Sequence, residues 1–252
     1  MGLYWNPTGV LGVVAMVVTL ALAWMVYLSA PKRATNRILA LMLFFQGIAV
    51  GTGAGLLYLS TDPKEAYAWQ SVSVTAALVL PSIYLAFLGQ LETPVVSFLR
   101  TNAARVVLFL FALAVEVYWF LRPEEFICEV YAPTEGYAMW DFDYGRLYQY
   151  TGYLRFGILI FALAVAVLSI FHARKGFQRA QMKAYSAAFG TRDVFEIFII
   201  LSYSPIALFP EQLTGSLPWI YASVVGFPIM IFGSDWIRSL YMSQASLLNC
   251  AT

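Results

Sequence analysis

Long apolar stretches dominate the chain and leave only short polar connectors between them. Seven of these stretches are long enough to cross the hydrocarbon core of a bilayer, which takes about 20 helical residues. Their predicted bounds are 8–29, 37–59, 67–91, 104–121, 148–172, 183–209 and 217–241. The pattern predicts an all-α membrane protein, a seven-transmembrane helix bundle over residues 1–241, with a short cytoplasmic tail at 242–252.

The connectors alternate in charge along the chain. Connectors on one side carry two acids, Glu92 and Asp235, and ten bases: Lys32, Arg33, Arg37, Arg100, Arg105, Arg174, Lys175, Arg179, Lys183 and Arg238. Connectors on the other side carry three bases, Lys64, Arg122 and Arg146, and nine acids: Asp62, Glu65, Glu124, Glu125, Glu129, Glu135, Asp141, Asp143 and Glu211. Because Lys and Arg collect on the cytoplasmic side, we expect an outside N-terminus and a cytoplasmic C-terminus. The predicted location is a multi-pass position in the plasma (cytoplasmic) membrane.

Composition narrows the classes of function. The chain is 61% hydrophobic and 12% charged, against about 25% charged residues in an ordinary soluble domain. Its net charge is only +1, so we expect no nucleic-acid partner. The high apolar content makes the lipid bilayer the expected partner.

The residues that cofactors require are scarce. The stretch 217–241 contains no lysine, which excludes a retinal Schiff base in the seventh span. One histidine, His172, and two cysteines offer no haem or metal signature. No hydrolase or zinc-protease motif is present either. We therefore expect no cofactor, no metal, no catalytic residues and no enzymatic activity.

The longest connector, 122–147, mixes acids with aromatic residues. Loops of this length in compact proteins are usually either functional or disordered. Two segments, Phe126–Tyr131 and Tyr137–Tyr144, have the composition of short strands. We predict an outer two-stranded hairpin that covers the end of the bundle.

The sixth stretch carries three ionisable residues at membrane depth, Arg192, Asp193 and Glu196. Their spacing places them on about half of the helix circumference. A charge exposed to lipid at the bilayer centre costs at least ~2.5–3.5 kcal/mol, so these side chains must face the protein or water. One interpretation is a buried polar clamp between helices. The other is a ligand, proton or ion site.

Glu116 in the fourth stretch and Arg155 in the fifth form a second ionisable set. Both lie a few residues inside the outer ends of adjacent antiparallel spans. This placement predicts a Glu116–Arg155 ion pair, either structural or as the floor of an outward-facing pocket.

The second stretch contains a glycine ridge, Gly47, Gly51 and Gly55, at helical spacing. Glycines at this spacing let another helix approach closely. The ridge predicts tight packing inside the chain or, alternatively, an oligomer interface such as a homodimer.

The plan of the chain resembles the N-terminal seven-transmembrane sensor region of archaeal and bacterial histidine kinases. The resemblance rests on the seven-span layout, the basic break after the first span, and the segment Trp140–Gly145 before the fifth. It covers roughly 5–240. It implies a stand-alone or truncated sensor that signals through a partner, because no kinase domain follows the seventh span in this sequence.

Three functional hypotheses follow. The first is a sensor or receptor-like protein that acts through a cytoplasmic or membrane signalling partner. The second is a small transporter, or a proton- or cation-conducting protein, that uses Asp193 and Glu196. The third is a structural subunit of a membrane complex.

Overall fold

The computed structural model describes residues 6–91, 94–131 and 140–172, together with six positions of the sixth predicted span. Those positions are Lys183, Ser186, Gly190, Asp193, Val194 and Ile197. The predicted seventh span and the tail lie outside the described residues. The described chain is almost entirely helical, as the apolar pattern predicts.

Within the described ranges, five helices are long and apolar enough to cross a membrane. They are α1 (Pro7–Ser29), α2 (Ala34–Leu59), α3 (Pro63–Leu88), α4 (Asn102–Leu121) and α5 (Arg146–His172). Their ends fall close to the predicted bounds, because the polar connectors contain the residues that begin and end helices. A multi-pass helical membrane protein is the architecture that these helices give.

Local side chains set several of these ends. Asp62 accepts a hydrogen bond from the Lys64 backbone N–H at 2.8 Å, and Pro63 occupies the first helical position of α3. Thr101 likewise accepts from the Ala104 N–H at the start of α4. Such caps satisfy backbone donors that have no partner within the helix.

The tight turn between α1 and α2 depends on one buried amide. Asn36 is 2% exposed, and its side-chain nitrogen donates to the Val26 carbonyl at 3.1 Å and to Ser29 Oγ at 2.9 Å. The two helices are thereby fixed as an antiparallel pair.

Helix α2 contains a π-helical turn at Gly51–Leu56, inside the glycine-rich run. Just before it, the Ala49 carbonyl accepts a hydrogen bond from Ser73 Oγ of α3 at 2.9 Å. A π-turn alters the regular backbone pairing of an α-helix, and partners from neighbouring helices can satisfy the affected groups. Serine at this point ties α2 to α3.

Helix α3 is the centre of the described bundle, because α2, α4 and α5 all pack on it. A large apolar core forms around its C-terminal half, where Phe87 and Leu88 are fully buried beside Met42 of α2 and Val165 of α5. The N-terminal half of α3 belongs to a second cluster that includes Trp119 of α4. Helix α4, by contrast, turns most of its apolar side chains outward.

The predicted hairpin is confirmed. Strands β1 (Ile127–Tyr131) and β2 (Asp141–Tyr144) pair antiparallel, with an irregularity between Ile127 and Glu129. The apolar side chains of the hairpin pack on the second cluster through Phe126, Ile127, Trp140 and Phe142. We call the hairpin, together with these four side chains, the aromatic cap.

The six described positions of the sixth span show which side faces the bundle. Ser186 Oγ donates to the Ala166 carbonyl of α5 at 3.1 Å. Gly190 lies beside Leu163, and Ile197 packs against the large core. Residues 186, 190, 193 and 197 recur at helical spacing, so they share one face. Asp193 is on that face.

Candidate functional site

Asp193 is buried where the sixth span meets α3. It is 1% exposed, and the Tyr84 hydroxyl, itself in a 3% exposed residue, donates a hydrogen bond to Asp193 Oδ2. A hydrogen bond to a charged group contributes about 1.5–3 kcal/mol. The contact therefore offsets part of the desolvation of the carboxylate, and it joins two spans that are far apart in sequence.

A small cleft lies beside this contact. Among the described residues it is lined by Met42, Gln46, Leu80, Pro81, Tyr84, Arg155, Ile158 and Leu159. Helices α2, α3 and α5 each contribute about one turn. The space open to the centre of a water molecule is about 20 Å³, enough for roughly one water. The arrangement suits a proton, a water or a rearranging side chain better than a large ligand.

Three polar groups converge on the cleft from three helices. Gln46 comes from α2 and is 8% exposed, Tyr84 comes from α3, and Arg155 comes from α5. With Asp193 behind Tyr84, they form what we call the core polar cluster. Polar side chains at membrane depth are costly unless paired, which is why they gather at one place.

The predicted Glu116–Arg155 ion pair is wrong. Both Glu116 oxygens are shielded from solvent, and neither accepts a hydrogen bond from any residue in the described ranges, Arg155 included. The physical reason is that α4 and α5 each pack on α3 and make little contact with one another. Arg155 instead lines the cleft.

Glu116 lies on the side of α4 that faces the bundle. The buried residues of α4 are Ala112 and Trp119, and Glu116 is one turn from each of them along that stripe. Above it, Trp119 contacts Phe126 edge-on with ring centroids 5.0 Å apart. Glu116 thus lies one turn from the α4 residue that contacts the aromatic cap.

The glycine ridge packs inside the chain. A Cβ atom placed on Gly47 would lie 3.3 Å from Thr19 Cβ, and one on Gly55 would lie 2.9 Å from the Val13 backbone nitrogen. Met16 covers Gly51. Helix α1 therefore occupies the ridge, which decides against its use as an oligomer interface.

Arg192 and Glu196, the other two candidates of the sixth span, lie outside the described residues. Of the remaining candidates, the structure brings Asp193 and Arg155 to the core polar cluster and leaves Glu116 separate. No group of three or more His, Cys, Asp or Glu side chains that could hold a metal occurs in the part of the chain that the structure describes.

Sequence reasoning missed Tyr84 and Gln46. Tyr84 lies near the C-terminal end of α3, and a tyrosine near the end of a span usually marks the membrane interface. Gln46 was hidden beside the glycine run, although an amide within an apolar span is itself a signal. Such a residue needs a partner, and the partner comes from packing that the sequence does not display.

The aromatic cap is held by polar contacts of its own. Trp140 Nε1 donates to the Ser60 carbonyl at 3.1 Å, and Gln70 Nε2 donates to the Tyr144 hydroxyl at 2.9 Å. Trp119 Nε1 donates to Thr75 Oγ1 at 3.0 Å. The first two bonds attach the hairpin to Ser60 at the end of α2 and to α3, and the third attaches α4 to α3. Helix α3 in turn leads to Tyr84.

The chain matches no protein-family model and no curated protein sequence. The core polar cluster and the aromatic cap are therefore the basis for proposing its function.

Proposed function

We infer that this chain is a seven-helix membrane sensor, with its N-terminus outside, that signals through a partner protein. The observation that carries the proposal is the hydrogen bond between Tyr84 and Asp193 beside the cleft. It joins α3, which bears the aromatic cap at its outer end, to the sixth span, which leads to the basic connector before Lys183. The resemblance to kinase sensor regions favours the same reading.

The proposed mechanism is a change between two arrangements of the core polar cluster. In the described arrangement Tyr84 holds Asp193 against α3. A stimulus at the cap would shift α3, and Asp193 would then exchange Tyr84 for another group at the cleft. Interior packing favours discrete arrangements over gradual deformation. The sixth span would move relative to α5, where Ser186 contacts Ala166.

The experiment follows the inner end of the sixth span. In a chain whose two cysteines are replaced by serine, Lys183→Cys is labelled with a membrane-impermeant maleimide added to inside-out vesicles. Lys183 is exposed, so the label has access. We expect Asp193→Asn and Tyr84→Phe to change the labelling rate, and the exposed Tyr150→Phe to leave it unchanged. Equal rates in all four chains would contradict the proposal.

The rival function is proton or cation transport. The position of Asp193 beside a cleft that admits water favours it. In proteoliposomes under a pH or ion gradient, the sensor hypothesis expects no flux above empty liposomes. Flux that Asp193→Asn abolishes would establish transport instead. The structural-subunit hypothesis is weaker, because α1 covers the glycine ridge on which it relied.

A further inference from the structure

The seam between α3 and α4 holds three buried polar atoms that the rest of the described chain does not satisfy. They are both carboxyl oxygens of Glu116 and the hydroxyl oxygen of Ser82. Ser82 is 6% exposed. Buried polar groups nearly always have a partner, and each exception calls for an explanation such as an unseen water or ion.

Helix geometry places Ser82 on the face of α3 that meets α4. Ser82 follows Thr75 by seven residues, two turns, so both share that face. Thr75 marks the seam because its Oγ1 accepts the hydrogen bond from Trp119 of α4. From the level of that bond, Glu116 lies three residues farther inward along α4 and Ser82 seven residues farther inward along α3. The two levels therefore differ by roughly 6 Å along the helix axes.

The two side chains also lean toward one another. Side chains on a helix tilt toward its N-terminus. The helices are antiparallel, so Glu116 of α4 tilts inward and Ser82 of α3 tilts outward. They form no direct hydrogen bond. The seam therefore presents oxygen atoms to a common space from both helices.

Charge decides what fits this space. A bridging water would supply hydrogen bonds but would leave the negative charge of Glu116 uncompensated within the membrane. Protonation would remove the charge but would leave the carboxylic O–H without an acceptor among the described residues. A cation compensates the charge and takes oxygen ligands, the ligands that hard cations prefer.

We propose that Glu116 and Ser82 bind a sodium-sized monovalent cation in the α3–α4 seam, between the level of Trp119 and the level of Tyr84. One carboxylate matches a single positive charge. The close spacing of packed helices, about 8–10 Å between axes, favours a small ion. The site is separate from the core polar cluster and does not rest on the proposed sensor function.

The test compares thermal unfolding of the detergent-solubilised full chain in sodium chloride and in N-methyl-D-glucamine chloride at equal concentration. A ligand that binds only the folded state raises Tm by linkage. At about ten times the dissociation constant, the expected rise in sodium is roughly 3–5 °C. Identical Tm values in the two salts across the accessible sodium range would overturn the proposal.

Two substitutions locate the effect. We expect Glu116→Gln and Ser82→Ala to remove the sodium-dependent rise. Glu116→Gln should also be at least as stable as the unmodified chain without sodium, because it removes a buried charge. The matched controls keep the rise: Glu129→Gln alters an exposed acid of the hairpin, and Ser71→Ala alters a hydroxyl that bonds its own helix at Tyr67.

Direct binding of radioactive sodium to the purified chain gives a second readout that does not depend on unfolding. Binding that Glu116→Gln removes and Glu129→Gln retains supports the site. A sodium-dependent rise that survives Glu116→Gln would place the cation elsewhere and overturn it.

Discussion

Tyr84 and Asp193 show how one residue can be recognised from sequence while its partner is not. An aspartate in an apolar span must be paired or must face water, whatever the fold, so its importance is visible in the sequence alone. A tyrosine near the end of a span has an ordinary interfacial explanation. Only the packing of the sixth span on α3 reveals that the Tyr84 hydroxyl serves Asp193.

For Glu116, the sequence suggested a partner, and that partner was wrong. Matching depth in adjacent spans favoured Arg155 as its partner, but depth does not determine which helices touch. Helices α4 and α5 each pack on α3 and make little contact with one another, and the predicted pair does not form.

Tyr84→Phe tests the contribution of the Tyr84 hydroxyl to stability. The substitution keeps the ring and removes the hydroxyl that donates to Asp193. We expect the free energy of unfolding to fall by about 1–3 kcal/mol, because a buried acceptor loses its donor. Denaturant unfolding in detergent measures the change.

Tyr150→Phe is the matched control. Tyr150 is 64% exposed, so the same removal of a hydroxyl should alter stability by less than about 0.5 kcal/mol. Equal losses for both substitutions would show that Tyr84 contributes nothing specific through Asp193.

At the scale of elements, the long apolar stretches were sufficient to predict the five described helices, since each span must form its backbone hydrogen bonds within itself. The hairpin was also predictable, from aromatic residues that flank a turn-forming segment. The π-helical turn at Gly51–Leu56 was not, because glycines alone do not specify a shift in backbone pairing. The helix that packs on the glycine ridge could not be predicted either. The glycine spacing indicates that some helix approaches closely, but it does not indicate which one.

We expect Gly55→Ala to disrupt the packing of α1 on α2. A methyl group at Gly55 would lie 2.9 Å from the Val13 backbone nitrogen and 3.0 Å from the Gly12 carbonyl carbon. Backbone atoms cannot move aside as flexible side chains can, so we expect a loss of about 1–3 kcal/mol. Thermal unfolding of the purified chain measures it.

Gly152→Ala on α5 provides the comparison, since no atom lies within 4 Å of the added methyl group. It should be neutral or slightly stabilising, because alanine favours the helix over glycine. If Gly55→Ala were as well tolerated, the α1–α2 contact would not be the tight packing surface described above.

At the scale of the whole molecule, helix α3 contacts both the aromatic cap and the core polar cluster. Gln70 of α3 donates to Tyr144 of the hairpin, Trp140 packs in the same apolar cluster as Val74 of α3, and Tyr84 attaches α3 to the sixth predicted span. A helix that carries contacts to both sites can transmit a displacement from one to the other. The central claim of the sensor proposal is that it does so.

Double substitution tests this claim most directly, with the labelling rate of Lys183→Cys in inside-out vesicles as the readout. Trp140→Ala loosens the cap by removing a 7% exposed side chain and its bond to Ser60. We predict that it changes the labelling rate roughly fivefold or more, the lower range of typical coupling between sites. In an Asp193→Asn background the same substitution should have little effect. An equal effect of Trp140→Ala in both backgrounds, or no effect in either, would contradict the account.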